Sequence, residues 1–162
     1  MNEKVIIKRR AELELKIESL AYGGMGVAKK DDFVIFVKGA IPGQIVNARV
    51  YKKKKGYAEA QTLNIVSESP NAVEPKCNHF YICSKIQNLS YKEQLKEKGN
   101  QVEDAFQRLG GFKEFKLKKV IEGDPTFYYR NKMEFTFSPH RWVLESEPEG
   151  VDKSFALGLH IP

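Results

Sequence analysis

Arg49, Lys52, Lys53, Lys54 and Lys55 place five cations in one short stretch, with Tyr51 and Tyr57 beside them. Ammonium and guanidinium groups neutralise phosphates, and tyrosine rings stack on unstacked bases, so this combination suits a single-stranded nucleic acid. A four-lysine run also occurs as a solvated loop kept polar for solubility, and the run alone does not separate the two readings. A third tyrosine, Tyr22, opens the stretch Tyr22-Gly23-Gly24-Met25-Gly26. Its glycines permit positive φ and close backbone approach, which fits a tight corner between strands. A nucleotide phosphate loop would need a lysine-serine pair and a following helix, and neither is present.

Other chemistry finds little support. There is no Gly-x-Ser-x-Gly elbow, no pair of carboxylates on one helix face and no glycine-rich strand-to-helix cofactor turn. His79, His140 and His160 have no cysteine or carboxylate at a spacing that makes a zinc set, and read as solvent-facing or satisfied side chains. Cys77 and Cys83, with five residues between them, supply two ligands of a four-thiolate iron-sulfur or zinc site, or else stand as two inert thiols. Two cysteines make no disulfide framework, and the N-terminus MNEKVIIKRR is too short an apolar patch for a secretory signal. No run of about 18 apolar residues exists, so no membrane partner is expected and a cytoplasmic location follows by default.

The elements that must carry these residues are mostly strands. The basic run follows a turn signal at Pro42-Gly43 and a period-2 segment, 45–51, with Val46, Ala48 and Val50 on one face. A second β-prone run begins at Tyr57, so the lysines sit at the tip of a hairpin. Upstream, residues 1–10 read as a frayed basic lead-in. Leu13, Leu15 and Ile17 alternate with charged residues as a first strand, and Asp31-Asp32 turns between strands around Val27-Ala28 and 33–37. With 57–66 as the last strand, the first 67 residues read as a five-stranded β-barrel of OB-like size. Those strands also hold the excess charge: residues 1–60 carry 13 Lys+Arg against 7 Asp+Glu, and residues 61–162 carry 14 against 14. A cationic module on a neutral body is the footprint of a polyanion binder.

Ser67-Glu68-Ser69-Pro70-Asn71 marks a boundary, and residues 68–89 read as a loop holding the partial cysteine motif. Ser90 with Glu93 predicts a capping box, and Tyr91, Leu95, Lys98, Val102, Phe106 and Leu109 step at helical spacing to a stop at Gly110-Gly111. Tyr91, Leu95, Val102, Phe106 and Leu109 are expected to be core. Strands are predicted at 115–121, at 129–137 with a turn at Ser138-Pro139, and at 155–161. Residues 90–162 thus form a small α+β domain, one long helix packed on an antiparallel sheet, and the abrupt end at Pro162 reads as truncation. The fold class is α+β.

The segments LKIESLAYGGMGVA, FVKGAIPGQIV, PKCNHFYIC, QNLSYKEQLKEK, FYYRNKMEFTFS and LGLHIP, in this order, resemble the N-terminal portion of the RNA uracil-5-methyltransferases of the RumA type. The resemblance runs over nearly the whole chain from Leu13. It implies that the barrel is a TRAM domain, an RNA-binding module, and that residues 75–162 are the family's central domain, with Tyr129, Arg130, Asn131 and Lys132 close to substrate RNA. It implies S-adenosylmethionine as the methyl donor of the full-length family, rRNA rather than tRNA as partner, and no DNA specificity. The family's cluster motif continues with a third cysteine where this chain has Ser84-Lys85-Ile86, which leaves the iron-sulfur set of Cys77 and Cys83 incomplete. Its doubly wound methyltransferase domain would follow Pro162. The expected RNA contacts are Tyr22, Arg49, Lys52, Lys53, Lys54, Lys55, Tyr57, Arg130, Asn131 and Lys132. The alternative is a stand-alone RNA-binding or assembly protein with no role in methylation.

Overall fold

The structure, a computed structural model, describes residues 7–77, 80, 84–144 and 147–159. Six strands make the first sheet: β1 (Glu12–Lys16), β2 (Ser19–Leu20), β3 (Gly26–Lys30), β4 (Phe33–Lys38), β5 (Ile45–Lys53) and β6 (Tyr57–Ser67). Their order is β1-β5-β6-β4-β3-β2, antiparallel throughout except for the parallel pair β4 and β6. The strand expected over 12–18 is two strands, because the chain changes partner midway. The Ile17 N–H donates to Gln44 O on the β5 side, and the next N–H, of Glu18, donates to Val27 O of β3. As β1 and β2 lie at the two ends of the strand order and are joined by two residues, the sheet closes on itself and leaves no long open edge.

Closure is what turns alternation into a core. Val46, Ala48 and Val50 of β5 point in, as the period-2 pattern predicts, and meet Leu15, Ala28, Ile35, Val37, Ala58 and Ala60, all buried. Burying each valine or isoleucine side chain is worth roughly 1.5–3 kcal/mol. Gly26 is needed for close approach: a Cβ there would stand 2.9 Å from Ile17 Cγ2 and 3.0 Å from Ala40 O. The corners fall where the sequence puts them, with Gly23 and Gly24 at φ of 90° and 83° and Asp31 and Asp32 also at positive φ. Residues 7–11 are not frayed. Ile7 is buried in the core, the Arg10 N–H donates to Val50 O, and the Val50 N–H donates to Ala11 O.

The helix, α1 (Tyr91–Asp104), runs into a π-helical turn at Ala105–Leu109. Ser90 is its N-cap, but the capping box does not form. The Ser90 N–H that Glu93 would accept goes to Asn71 O instead, and Glu93 pairs with Lys96. The apolar stripe is not the core: Val102, Phe106 and Leu109 are exposed, and the buried helix residues are Glu97 and Gly99. The helix belongs to the same compact unit as the barrel. Within Met1–Ile121 it is anchored to the β2 end of the barrel, where Glu97 and Gln101 bind the backbone around Leu20. Leu20, Ile41 and Leu89 make a second buried cluster. Residues 115–121 form no strand. They lie along the helix instead, where Leu117 and Val120 come within 3.4 Å of the position a Cβ on Gly99 would take.

The residues Glu122–Pro162 form a separate compact unit. Its regular structure among the described residues is an antiparallel pair, β7 (Thr136–His140) and β8 (Ser154–Gly158), with Phe137 opposite Leu157. The long strand expected over 129–137 is irregular up to Phe135, since no neighbouring strand satisfies its backbone there. Ser138 and Pro139 lie inside β7 rather than in a turn, a place that proline accepts on a strand with one open side.

Candidate nucleic-acid interface

The hairpin of β5 and β6 carries the lysine run as predicted. It closes with the Lys54 N–H on Tyr57 O, so Lys54, Lys55 and Gly56 form the tip, and Lys53, Lys54 and Lys55 are exposed. Two of the five cations are engaged below the tip. Arg49 forks onto Glu12 across β1 and β5, with Nε and Nη2 at 3.0 and 2.7 Å from the same carboxylate oxygen. Lys52 Nζ lies 2.5 Å from Glu59, its cross-strand neighbour, which also accepts from the Tyr51 hydroxyl at 3.0 Å. These contacts set the local ionisation. The Lys52 hydrogen bond holds the Glu59 carboxyl below the usual carboxylate range, and the same bond raises the Lys52 ammonium. Burial first, and then the bond to Glu59, pushes the Tyr51 phenol up. Arg49 and Lys52 are therefore each paired with a carboxylate, and Lys53, Lys54 and Lys55 are exposed to a phosphate.

Register shows which other residues share this end of the barrel. In the parallel pair, Val34 at the start of β4 faces Tyr57 at the start of β6; in the antiparallel pair, Glu12 at the start of β1 faces Arg49 near the end of β5. The hairpin tip, the β3–β4 corner and the entry to β1 are therefore together. That adds Lys8, Arg9 and Arg10 on one flank, with Arg9 Nε donating to Tyr51 O at 3.1 Å, and Lys29 and Lys30 on the other, beside Asp31 and Asp32. Sequence reasoning did not assign these five cations to the site. The Lys8-Arg9-Arg10 triplet just before the first strand was the available signal, and its use required knowing which strand lies next to that entry.

Tyr22 lies elsewhere. Its turn precedes Gly26, which faces Val37 at the far end of β4, so it is roughly 15 Å of strand away from the lysine tip at about 3.3 Å per residue. It is 94% exposed. Tyr57 is half-buried and packs edge-to-face on Phe36 with ring centroids 5.6 Å apart, which ties it to the barrel wall. Arg130, Asn131 and Lys132 sit on the exposed irregular segment of the second unit, where Lys132 pairs with Glu134 and Arg130 reaches Met133 Sδ.

Of the proposed metal ligands, Cys77 is half-buried, with its N–H donating to Gln87 Oε1, and Cys83, like His79 and His160, lies outside the described residues. Among the described residues no group of three or more His, Cys, Asp or Glu is placed to hold a metal ion. No helix of the described residues is long and apolar enough to cross a membrane.

Residues 8–63 match the TRAM domain family, which covers every strand of the barrel up to most of β6. Over longer stretches the chain is similar to uncharacterized RNA methyltransferases. It is 39% identical to one from Porphyromonas gingivalis, over 91% of this chain and 34% of that protein. It is 38% identical to one from Bacteroides thetaiotaomicron, over 88% and 33%, and 37% identical to one from Chlorobaculum tepidum, over 79% and 28%. The chain spans about a third of the length of the curated relatives it matches. A solution structure of a conserved protein from Methanococcus maripaludis is 35% identical and covers 39% of this chain and 87% of its own, with a TM-score of 0.34.

Proposed function

We infer, from a chain that carries a TRAM domain and is homologous to the N-terminal part of RNA methyltransferases, that the cationic end of its barrel grips single-stranded RNA. The grip serves an S-adenosylmethionine-dependent uracil-5-methyltransferase acting in the cytoplasm, with rRNA rather than tRNA as the substrate. The observation that carries this reading is the gathering of Lys8, Arg9, Arg10, Lys29, Lys30 and the Lys52–Lys55 run at one end of a closed barrel, although they come from three separate parts of the chain. Converging positive charge focuses a field on a polyanion; lysines spread for solubility have no reason to converge. The strand order, with β1 and β2 counted as one bent strand and β4 parallel to β6, supports an OB-like five-stranded barrel. Tyr57 and Tyr22 add ring surface, and Arg130, Asn131 and Lys132, in the second unit, are further candidate RNA contacts. Residues 7–159 are assigned no step of methyl transfer and no methyl-donor site. Their part is to bind and orient the RNA.

The test is fluorescence anisotropy of a labelled single-stranded RNA across a salt series. Log affinity falls with log salt by about 0.7 per phosphate neutralised, so replacing Lys53, Lys54 and Lys55 with alanine lowers the steepness by about 2. A flat response from the unmodified chain, or an unchanged slope in the triple variant, removes the reading.

A further inference from the structure

At the barrel end opposite the lysines, a cleft of about 270 Å³ opens between the Tyr22 turn and one face of α1. Small for a drug-sized ligand, whose sites run from about 300 to 1,000 Å³, it suits a single planar ring system. Tyr22 forms one wall. Its turn is rigid: the Ala21 N–H donates to Met25 O, the Gly24 N–H donates to Ala21 O, and Gly23 and Gly24 hold the positive φ that the bend requires. The helix clamps the same turn from below. Glu97, only 5% exposed, accepts the Leu20 N–H at 2.7 Å, and Gln101 Nε2 donates to the carbonyls of Leu20 and Ala21. A nearly bare aromatic ring held on a fixed platform pays little ordering entropy when something stacks on it.

The rest of the lining has a definite polarity. Gln94 Nε2 donates to the carbonyls of Ile86 and Leu89, so the amide N–H groups of both cleft glutamines are committed to backbone. With the N–H groups so held, the chemistry the two amides have left to offer a ligand is acceptance at Oε1. Ile86 and Leu20 supply apolar floor, and Lys98 supplies a cation. Glu97 and Ser84 complete the lining, with the Glu97 carboxylate engaged by the Leu20 N–H and Asn100; the aromatic wall, apolar floor, amide acceptors and one cation are groups that hold a nucleotide: base face, base edge and phosphate.

We propose that this cleft takes one unstacked base of single-stranded RNA, with the base on Tyr22, its N–H edge toward the Gln94 and Gln101 oxygens and its phosphate at Lys98. The proposal rests on the RNA-binding reading and adds a base-reading contact to its backbone grip.

The test compares two labelled oligonucleotides of about ten nucleotides, within the site sizes of single barrel modules, one with bases and one with abasic ribose-phosphate throughout. Base stacking on an aromatic side chain is worth about 1–3 kcal/mol, so Tyr22→Ala weakens the base-bearing RNA by roughly tenfold. Tyr22→Phe keeps affinity, and binding of the abasic strand is the same in all three proteins. Equal weakening of both strands by Tyr22→Ala, or no weakening of either, overturns the cleft proposal while salt-dependent binding by the unmodified chain leaves the backbone grip standing. Failure of the unmodified chain to bind either strand overturns both. Since Tyr22 is exposed and packs on no core residue, an unchanged thermal melt of Tyr22→Ala keeps the affinity readings free of unfolding.

Discussion

Ile35, Val37, Val46, Ala48, Val50, Ala58 and Ala60 are shut off from solvent in the barrel, whereas Phe137, Phe155 and Leu157 on β7 and β8 remain more than half exposed, and no described residue beyond 121 is buried. The side chains are no less apolar in the second unit. The barrel strands have neighbours on both sides and a facing wall across the interior, while among the described residues β7 and β8 have only each other. A two-stranded ribbon has no second layer to bury its rings against, and such ribbons are marginal in water. Phe137 and Phe155 meet only as a tilted pair 5.8 Å apart, worth about 0.5–1.5 kcal/mol beyond the area they cover. Alternation of apolar and polar residues specifies a strand's faces; closure decides whether the apolar face is sheltered.

The contrast is broken most directly by truncation. Ile35→Ala removes three carbons from a site with no exposed surface and is expected to cost about 2–5 kcal/mol, read as a loss of urea midpoint followed by far-ultraviolet circular dichroism. Phe137→Ala, although it removes more carbon, is expected to shift the same transition by less than about 0.5 kcal/mol, the usual range for surface sites. Trp142 lies in the second unit and gives it a separate fluorescence signal. Equal costs for the two substitutions would show that the second unit has a core of its own and end the comparison.

Glu97 sharpens the comparison at the seam between helix and barrel. Its buried carboxylate accepts the Leu20 N–H at 2.7 Å and a bond from Asn100 Nδ2, so Glu97→Ala leaves a buried backbone donor without its partner. The expected cost is about 1–3 kcal/mol, less than that of Ile35→Ala. Hydrogen exchange checks the location: the Leu20 amide is expected to lose protection in Glu97→Ala while the Ala48 and Ala60 amides keep theirs. Loss spread evenly over all strands would place Glu97 among the determinants of the whole barrel rather than of the seam.

The sequence made the barrel legible because its signals are local. Gly23-Gly24, read as a corner, and Asp31-Asp32, read as a turn, both have positive φ, and Val46, Ala48 and Val50 alternate inward as read. The lysine tip was legible for the same reason, being bounded by two β-prone runs. What could not be read is anything fixed by a distant partner. The helix stripe at Val102, Phe106 and Leu109 has the right spacing for a core, yet the face in contact carries Glu97 and Gly99, because a hydrogen bond to Leu20 77 residues away sets the rotation. Residues 115–121, expected as a strand, lie along a helix, and Ser90 gives its N–H to Asn71 rather than to Glu93. The same limit hid Lys8, Arg9, Arg10, Lys29 and Lys30, which join the lysine tip only through the strand order.

The smallest expected effect concerns that tip. Lys52 is clipped to Glu59, so one of its five cations is partly spent within the hairpin, and Glu59→Gln would release it and remove one negative charge from the surface that meets RNA. Because the clip lowers the Glu59 carboxyl, its contribution is fully present above the ordinary carboxylate range and disappears only as pH falls through the depressed folded value. Between about pH 6 and 8 the clip is therefore intact in the unmodified chain, and the comparison with Glu59→Gln needs no correction for titration of Glu59. The variant is expected to bind single-stranded RNA about two- to threefold tighter at low salt and to steepen the salt slope by at most about 0.7, with the difference vanishing as screening grows. Unchanged affinity would mean that Lys52 already leaves Glu59 when RNA arrives. Weaker binding would mean that the Tyr51–Glu59–Lys52 network holds the tip in its binding shape, so that rigidity outweighs the extra charge.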